Sequence, residues 1–132
     1  MEFTFLSRWQ PQLLSVLRII TGLLFFSHGT SKLLGFPHVD MFDGLQIFSF
    51  MGLAGILELV GGILITIGLF TRLTAFILSG EMAIAYFMFH APMSFHPVIN
   101  MGEAAILYCF VFLYIAAAGA GPWSADAARS KS

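Results

Sequence analysis

Charged residues are scarce in this sequence: Asp, Glu, Lys and Arg together make up 10 % of its 132 residues. Soluble domains usually carry about a quarter charged residues, so this chain could not cover a water-exposed surface. The formal net charge is −1, and the chain therefore lacks the basic excess of nucleic-acid-binding surfaces. This composition excludes an ordinary soluble domain and indicates a surface that faces lipid.

Cysteine is almost absent, since Cys109 is the single one. An internal disulfide and a Cys-x-x-Cys pair are both excluded. Cys109 lies within an apolar run and is expected to be a small buried apolar residue. The sequence also has no haem-binding pattern, so electron transfer by this chain alone is not expected.

Long apolar runs are abundant, with 58 % hydrophobic residues and a mean hydropathy of +0.90. Four runs approach the roughly 20 residues that cross a bilayer core, and they predict helices over 13–34, 47–70, 73–89 and 100–118. The first run is longer than the roughly 7–15 apolar residues of a signal peptide and contains charged residues, so it predicts a spanning helix. The predicted fold is all-α: a single four-helix transmembrane bundle over 1–132, with a short tail over 119–132.

The positions of Lys and Arg predict the orientation of this bundle. The loop between the first two helices contains Asp40 and Asp43 but no basic residue, and the loop before the fourth helix has none. Lys32 is the one basic residue near that side. Because basic residues collect on the cytoplasmic side, both termini are predicted to be cytoplasmic. The basic residues assigned to that side are Arg8, Arg18, Arg72, Arg129 and Lys131.

Polar and ionisable residues lie within the predicted spans. A charged group near the bilayer centre costs at least about 2.5–3.5 kcal/mol, so such groups are expected to face the bundle interior and to pair. At about 100° per residue, Arg18 and Lys32 share one stripe of the first helix, and Glu103 shares a stripe of the fourth with Tyr114. The predicted buried cluster consists of Arg18, His28, Lys32, Glu58, Glu81, Asn100, Glu103 and Tyr114.

These residues allow a structural interpretation as well as a functional one. Ion pairs between helices can simply fix which helices pack together. Arg18, near the inner end of its helix, is expected to extend its guanidinium group to the headgroups, and His90 and His96 are expected to have ordinary loop roles. A metal site built from His28, His90, His96 and Glu103 has suitable ligand types. Their spacing does not require one, so no metal is assigned.

Seven short segments together resemble the DoxX family of small bacterial membrane proteins. The resemblance covers residues 13–126 and depends on the order and spacing of the segments, none of which is specific alone. They are 18–22 (RIITG), 26–32 (FSHGTSK), 57–62 (LELVGG), 68–72 (GLFTR), 81–86 (EMAIAY), 100–104 (NMGEA) and 119–126 (GAGPWSAD).

The resemblance implies a DoxX-like four-helix protein of the bacterial inner membrane. Founding members of the family are similar to subunits of thiosulfate:quinone oxidoreductases, and others to membrane partners of thiol- or superoxide-detoxifying enzymes. It supplies no catalytic residue. The positions that match are Arg18, His28, Lys32, Glu58, Arg72, Glu81, Asn100 and Glu103.

Three functions remain open. The first is an accessory subunit of a membrane or soluble oxidoreductase, linked to quinone or to thiol and sulfur chemistry; His28, Lys32 or Tyr114 would donate a hydrogen bond to a quinone headgroup. The second is transport of protons or small solutes, with Glu58 and Glu81 as relays and a homo-oligomer supplying volume. The third is a membrane scaffold without chemistry.

Overall fold

Residues 3–130 are described by a computed structural model, and within this range all regular secondary structure is helical. A π-helical turn (Tyr86–His90) and a 3₁₀ turn (Ala91–Met93) continue the third helix. The predicted all-α fold is therefore confirmed. The helices are α1 (Gln10–Leu34), α2 (Phe50–Ile67), α3 (Thr71–Ala85), α4 (Pro97–Asn100), α5 (Glu103–Ala118) and α6 (Ala125–Ser130).

Three helical segments are long and apolar enough to cross a membrane, namely Ser7–Leu34, Phe50–Ile67 and Thr71–Met93. The fourth apolar helix, α5, is shorter, with 16 residues. Large apolar side chains such as Ile20, Phe76 and Leu107 are exposed on the outside of these helices. An apolar exterior of this extent is typical of a surface that contacts lipid.

Local capping explains where the helices differ from the predicted bounds. Helix α2 begins at Phe50 rather than at 47 because the Ser49 hydroxyl accepts a hydrogen bond from the Gly52 N–H at 3.0 Å. It ends before Gly68, whose φ of 72° is left-handed. Helix α5 begins at Glu103 rather than at 100, because Met101, with a φ of 63°, separates it from α4. The predicted tail contains α6, and Lys131 lies outside the described residues.

Glycines allow α1 and α2 to pack in close contact. A Cβ atom on Gly29 would lie 2.5 Å from the backbone nitrogen of Leu59. A Cβ atom on Gly62 would lie 2.7 Å from the Cα atom of Phe26. Small residues permit this approach in membrane bundles, where dispersion contacts replace the hydrophobic effect between helices.

The second closely packed pair is α3 and α5, whereas α1 and α5 have few contacts. Aromatic rings supply part of the α1–α5 contact: the Phe25 ring lies 4.9 Å from the Phe112 ring and 5.2 Å from the Tyr108 ring, between centroids. Leu78 of α3 and Ile115 of α5 belong to the same buried core as Phe25 and Phe112. The core therefore joins the two helix pairs near the middle of the bundle.

Candidate functional site

An ion pair lies inside the bundle between α1 and α2. The Lys32 Nζ atom is 2.9 Å from Oε1 and 2.9 Å from Oε2 of Glu58. The Glu58 side chain is only 2 % exposed and that of Lys32 11 %. Both predicted residues are thus placed together, and each charge has its partner inside the bundle.

Glu81 of α3 joins this pair. Both oxygens of its carboxyl group are buried, and neither has a hydrogen-bond partner among the described residues. The group interacts electrostatically with Glu58 and with Lys32. We call Lys32, Glu58 and Glu81 the ionisable cluster; it contains two acidic groups and one basic group from three different helices.

Close helix contacts hold the cluster together. A Cβ atom on Gly55 would lie 3.1 Å from the Cβ atom of Lys32, so α1 and α2 are close at this level. A Cβ atom on Gly61 would lie 2.9 Å from a methyl carbon of Leu78, so α3 is close as well. Glu58 lies one helical turn from Gly61, and Glu81 one turn from Leu78. The glycine positions therefore set the distance between the charges.

His28 lies at the edge of the cluster. Its ring is 5.8 Å from that of Tyr108 and 6.3 Å from that of Phe25, between centroids. It interacts electrostatically with Glu58 and Lys32, and its side chain is exposed at the surface of the chain. Tyr108 of α5, which was not among the predicted site residues, interacts with Glu58.

Arg18 does not reach the headgroups, so that prediction was wrong. The residue is 0 % exposed, and all the hydrogen bonds that its guanidinium group donates within the described range go to backbone carbonyls. The chain after α5 folds back over the first turns of α1 and brings these acceptors within reach. The acceptors are Ile65 (2.9 Å), Thr66 (3.4 Å), Trp123 (2.7 Å) and Ala120.

Asp126 connects the chain after α5 to the start of α3. Its carboxylate accepts hydrogen bonds from the backbone N–H groups of Phe70 and Thr71, each at 2.9 Å. Partial desolvation opposes ionisation of Asp126, but the hydrogen bonds from Thr71 and Phe70 and the charge of Arg129 outweigh it and lower its pKa. This role of Asp126 was not predicted, and the resemblance over 119–126 was the only signal for it.

Asn100 is buried but belongs to a different network. Its amide nitrogen donates to the Tyr86 hydroxyl at 3.1 Å and to the Ser94 carbonyl at 2.9 Å, and its amide oxygen accepts from the Gly102 N–H at 2.8 Å. His90 Nδ1 lies 2.9 Å from the Asn100 carbonyl oxygen. Asn100 and His90 therefore organise the loop between α3 and α5 rather than the ionisable cluster.

Glu103 and Tyr114 were wrongly placed in the buried cluster. Their stripe of α5 faces outward: Glu103 is exposed, and Leu107, Phe110 and Tyr114 are 65 %, 63 % and 52 % exposed. The opposite face, which includes Phe112, is buried. Because α5 is apolar on nearly every face, the sequence pattern could not show which face is buried.

The four residues considered for a metal site are not brought together. Among residues 3–130, one group of three or more ligand-type side chains converges, and it consists of His38, Asp40 and Asp43. All three are exposed, and His38 Nε2 lies 2.9 Å from an Asp43 oxygen. Neither His90 nor His96 belongs to it.

Two shallow grooves lie at the end of the bundle that contains Arg18 and Asp126. One, of about 560 Å³, is lined by the start of α3 and by the chain after α5, including Arg72. The other, of about 380 Å³, lies between the start of α1 and Tyr114 and is mostly apolar. No residue of the ionisable cluster lines either groove.

The chain belongs to the DoxX family, whose model matches residues 13–91. This match includes all of α1 after its first three residues, α2, α3 and the whole ionisable cluster. The predicted resemblance is therefore confirmed, and the DoxX family together with the apolar helices defines a transmembrane protein. The segments 100–104 and 119–126 lie beyond the matched residues.

Two curated relatives resemble the chain. An uncharacterized protein of Haemophilus influenzae is 44 % identical over 126 residues, which cover 92 % of this chain and 93 % of the relative. A Bacillus subtilis protein named "Putative oxidoreductase CatD" is 42 % identical over 60 residues, which cover 44 % of this chain and 45 % of the relative. No solved structure matches the chain.

Proposed function

We propose that the chain crosses a bacterial inner membrane four times, with both termini in the cytoplasm. Helix α5 is about 24 Å long at about 1.5 Å per residue, and α4 precedes it at the outer end. Hydrogen bonds from Arg18 to Trp123 and from Trp123 to Ser15 support a common location for the two chain ends. Basic residues gather at this end, as the cytoplasmic side requires.

We further propose that the protein is an accessory membrane subunit of an oxidoreductase system. The observation that carries this proposal is the 42 % identity to the B. subtilis protein whose name describes an oxidoreductase. A single cysteine supports an accessory role, since the chain brings no thiol pair of its own. The partner would be a membrane or soluble oxidoreductase, with a second copy of the chain as a further candidate.

The positions of the three side chains that were expected to donate a hydrogen bond to a quinone headgroup do not support quinone binding. Lys32 is paired with Glu58, and Tyr114 lines a surface groove with the start of α1, at the other end of the bundle from Lys32. His28 remains near Lys32, but Tyr114 does not join them. We therefore favour a thiol- or sulfur-linked oxidoreductase over a quinone-linked one, because it requires no quinone site in this chain.

Purification from native membranes in mild detergent, with mass spectrometry of all copurifying molecules, tests the association. We expect an oxidoreductase in stoichiometric amount, and a matched purification of an unrelated membrane protein of similar size controls for carry-over. A chain that purifies alone would contradict the proposal. Flux of protons or solute in proteoliposomes would then favour the transport alternative, whereas absence of flux would favour the scaffold alternative.

A further inference from the structure

The ionisable cluster has one more acidic group than basic groups. The positive charge of Lys32 is in contact with Glu58 and can offset one carboxylate. A second ionised carboxylate, on Glu81, would remain uncompensated in a buried environment, which is strongly unfavourable. Charge balance inside the bundle therefore requires one additional positive charge near Glu58 and Glu81.

The cluster is also short of one hydrogen-bond donor, as well as of one positive charge. Within residues 3–130, both Glu81 oxygens and the Oε1 atom of Glu58 are buried without a hydrogen-bond partner, although Oε1 is within ion-pair distance of Lys32. Ionised carboxylates only accept hydrogen bonds, whereas a protonated carboxyl group also donates one. A single proton on this pair would supply the missing donor and neutralise the cluster.

The other charged and titratable groups that interact with Glu58 come from α1 and α5. Helix α1 contributes Lys32 and His28, and α5 contributes the neutral hydroxyl of Tyr108. The loop between α1 and α2 places the Phe42 ring 5.7 Å from Lys32 Nζ. Glu103, exposed on α5, lies outside the cluster.

We propose that Glu58 and Glu81 bind one exchangeable proton between them, beside Lys32. The ligand of this site is a proton, and the site is intramembrane. It exists whether or not the protein associates with an oxidoreductase. Exchange of this proton gives the chain a group that can take up or release charge within the bilayer.

Infrared spectroscopy of the full-length protein in lipid vesicles at neutral pH tests the proposal. We expect the C=O stretch of a protonated carboxyl group, which shifts when H₂O is replaced by D₂O. The band should disappear in Glu81→Gln and in Glu58→Gln, since one carboxylate then pairs with Lys32. It should persist in Glu103→Gln, the matched control on α5.

A wild-type spectrum without this band would overturn the proposal, and so would a band that survives in both Glu58→Gln and Glu81→Gln. If those variants do not fold, labelling of the wild-type protein with a hydrophobic carbodiimide assigns the band. The carboxyl O–H adds across a C=N bond of the reagent, so a carboxyl group that holds a proton within the bilayer is labelled preferentially. We expect adducts at Glu58 or Glu81; adducts confined to other positions, or none, would contradict the site.

Discussion

At the scale of the residue, Lys32 and Glu58 form a buried ion pair, and removing only one of the two partners should destabilise the protein. We predict that Lys32→Met lowers the free energy of unfolding by about 3–5 kcal/mol, because it leaves buried acidic groups without their positive partner. Denaturant titration in detergent micelles measures the change. Glu103→Gln, which alters an exposed side chain, should stay within about 0.5 kcal/mol of wild type.

The double variant Lys32→Met/Glu58→Gln separates pairing from packing. Removing both partners of a buried pair costs much less than removing one, so this variant should regain a large part of the lost stability. Additive losses in the two single variants and the double variant would show that Lys32 and Glu58 do not interact.

Asp126 lies outside the membrane-spanning segments, and its carboxylate should make the stability of the fold depend on pH. Its pKa is lowered in the folded protein by the N–H donors of Thr71 and Phe70 and by Arg129, which together outweigh desolvation. The carboxylate therefore stabilises the fold above its ordinary pKa, and this contribution is lost as the pH falls through the lower folded value. We predict that Asp126→Asn costs about 1 kcal/mol at neutral pH and little in strong acid. A pH-independent cost, measured by unfolding at several pH values, would contradict this account.

The residues of the site could be predicted only in part. The cost of charge in a membrane applies at any position of a span, and it was enough to predict that Lys32, Glu58 and Glu81 lie together inside the bundle. Glu103 and Tyr114 were misplaced because α5 is apolar on nearly every face. The burial of Arg18 depends on carbonyls of Ala120 and Trp123, far along the chain, and no local pattern shows such a contact.

At the scale of the element, the contact between α1 and α2 depends on glycine. We predict that Gly62→Ala destabilises the protein, because the new methyl group would lie 2.7 Å from the Cα atom of Phe26. Gly80 of α3 is the matched control, since a Cβ atom there would contact nothing within 4 Å apart from its chain neighbours and the backbone of its own helix. Gly80→Ala should stabilise the protein by about 0.5–1 kcal/mol through the higher helix propensity of Ala. Equal thermal stability of the two variants in detergent would contradict the proposed role of Gly62.

The helices themselves were well predicted, since long apolar runs leave few alternatives in a membrane. The bounds were less accurate because capping decides them. Ser49 starts α2 from a nearby position in the sequence, whereas Asp126 accepts hydrogen bonds at the start of α3 from a position 55 residues away. Only the first kind of cap can be recognised in the sequence.

At the scale of the whole molecule, the chain after α5 connects the ends of the other helices. Arg18 binds carbonyls of this segment, and Asp126 binds the start of α3. We predict that Arg18→Met increases proteolytic cleavage within residues 119–130, because the segment loses its charged hydrogen bonds to α1. Limited proteolysis in detergent, with Arg8→Met as control, measures the rate. An unchanged cleavage rate in Arg18→Met would show that the segment is held by other contacts.

Four crossings of the membrane around the ionisable cluster are the central claim of this account. Single-cysteine variants at Arg8, Asp40, Phe95 and Ser130, made in a Cys109→Ala background and treated with a membrane-impermeant maleimide, test it most directly. We predict labelling at positions 40 and 95 in intact cells, and at positions 8 and 130 only after the membrane is permeabilised. Labelling of position 130 but not position 8 in intact cells would mean an odd number of crossings and would contradict the four-helix arrangement.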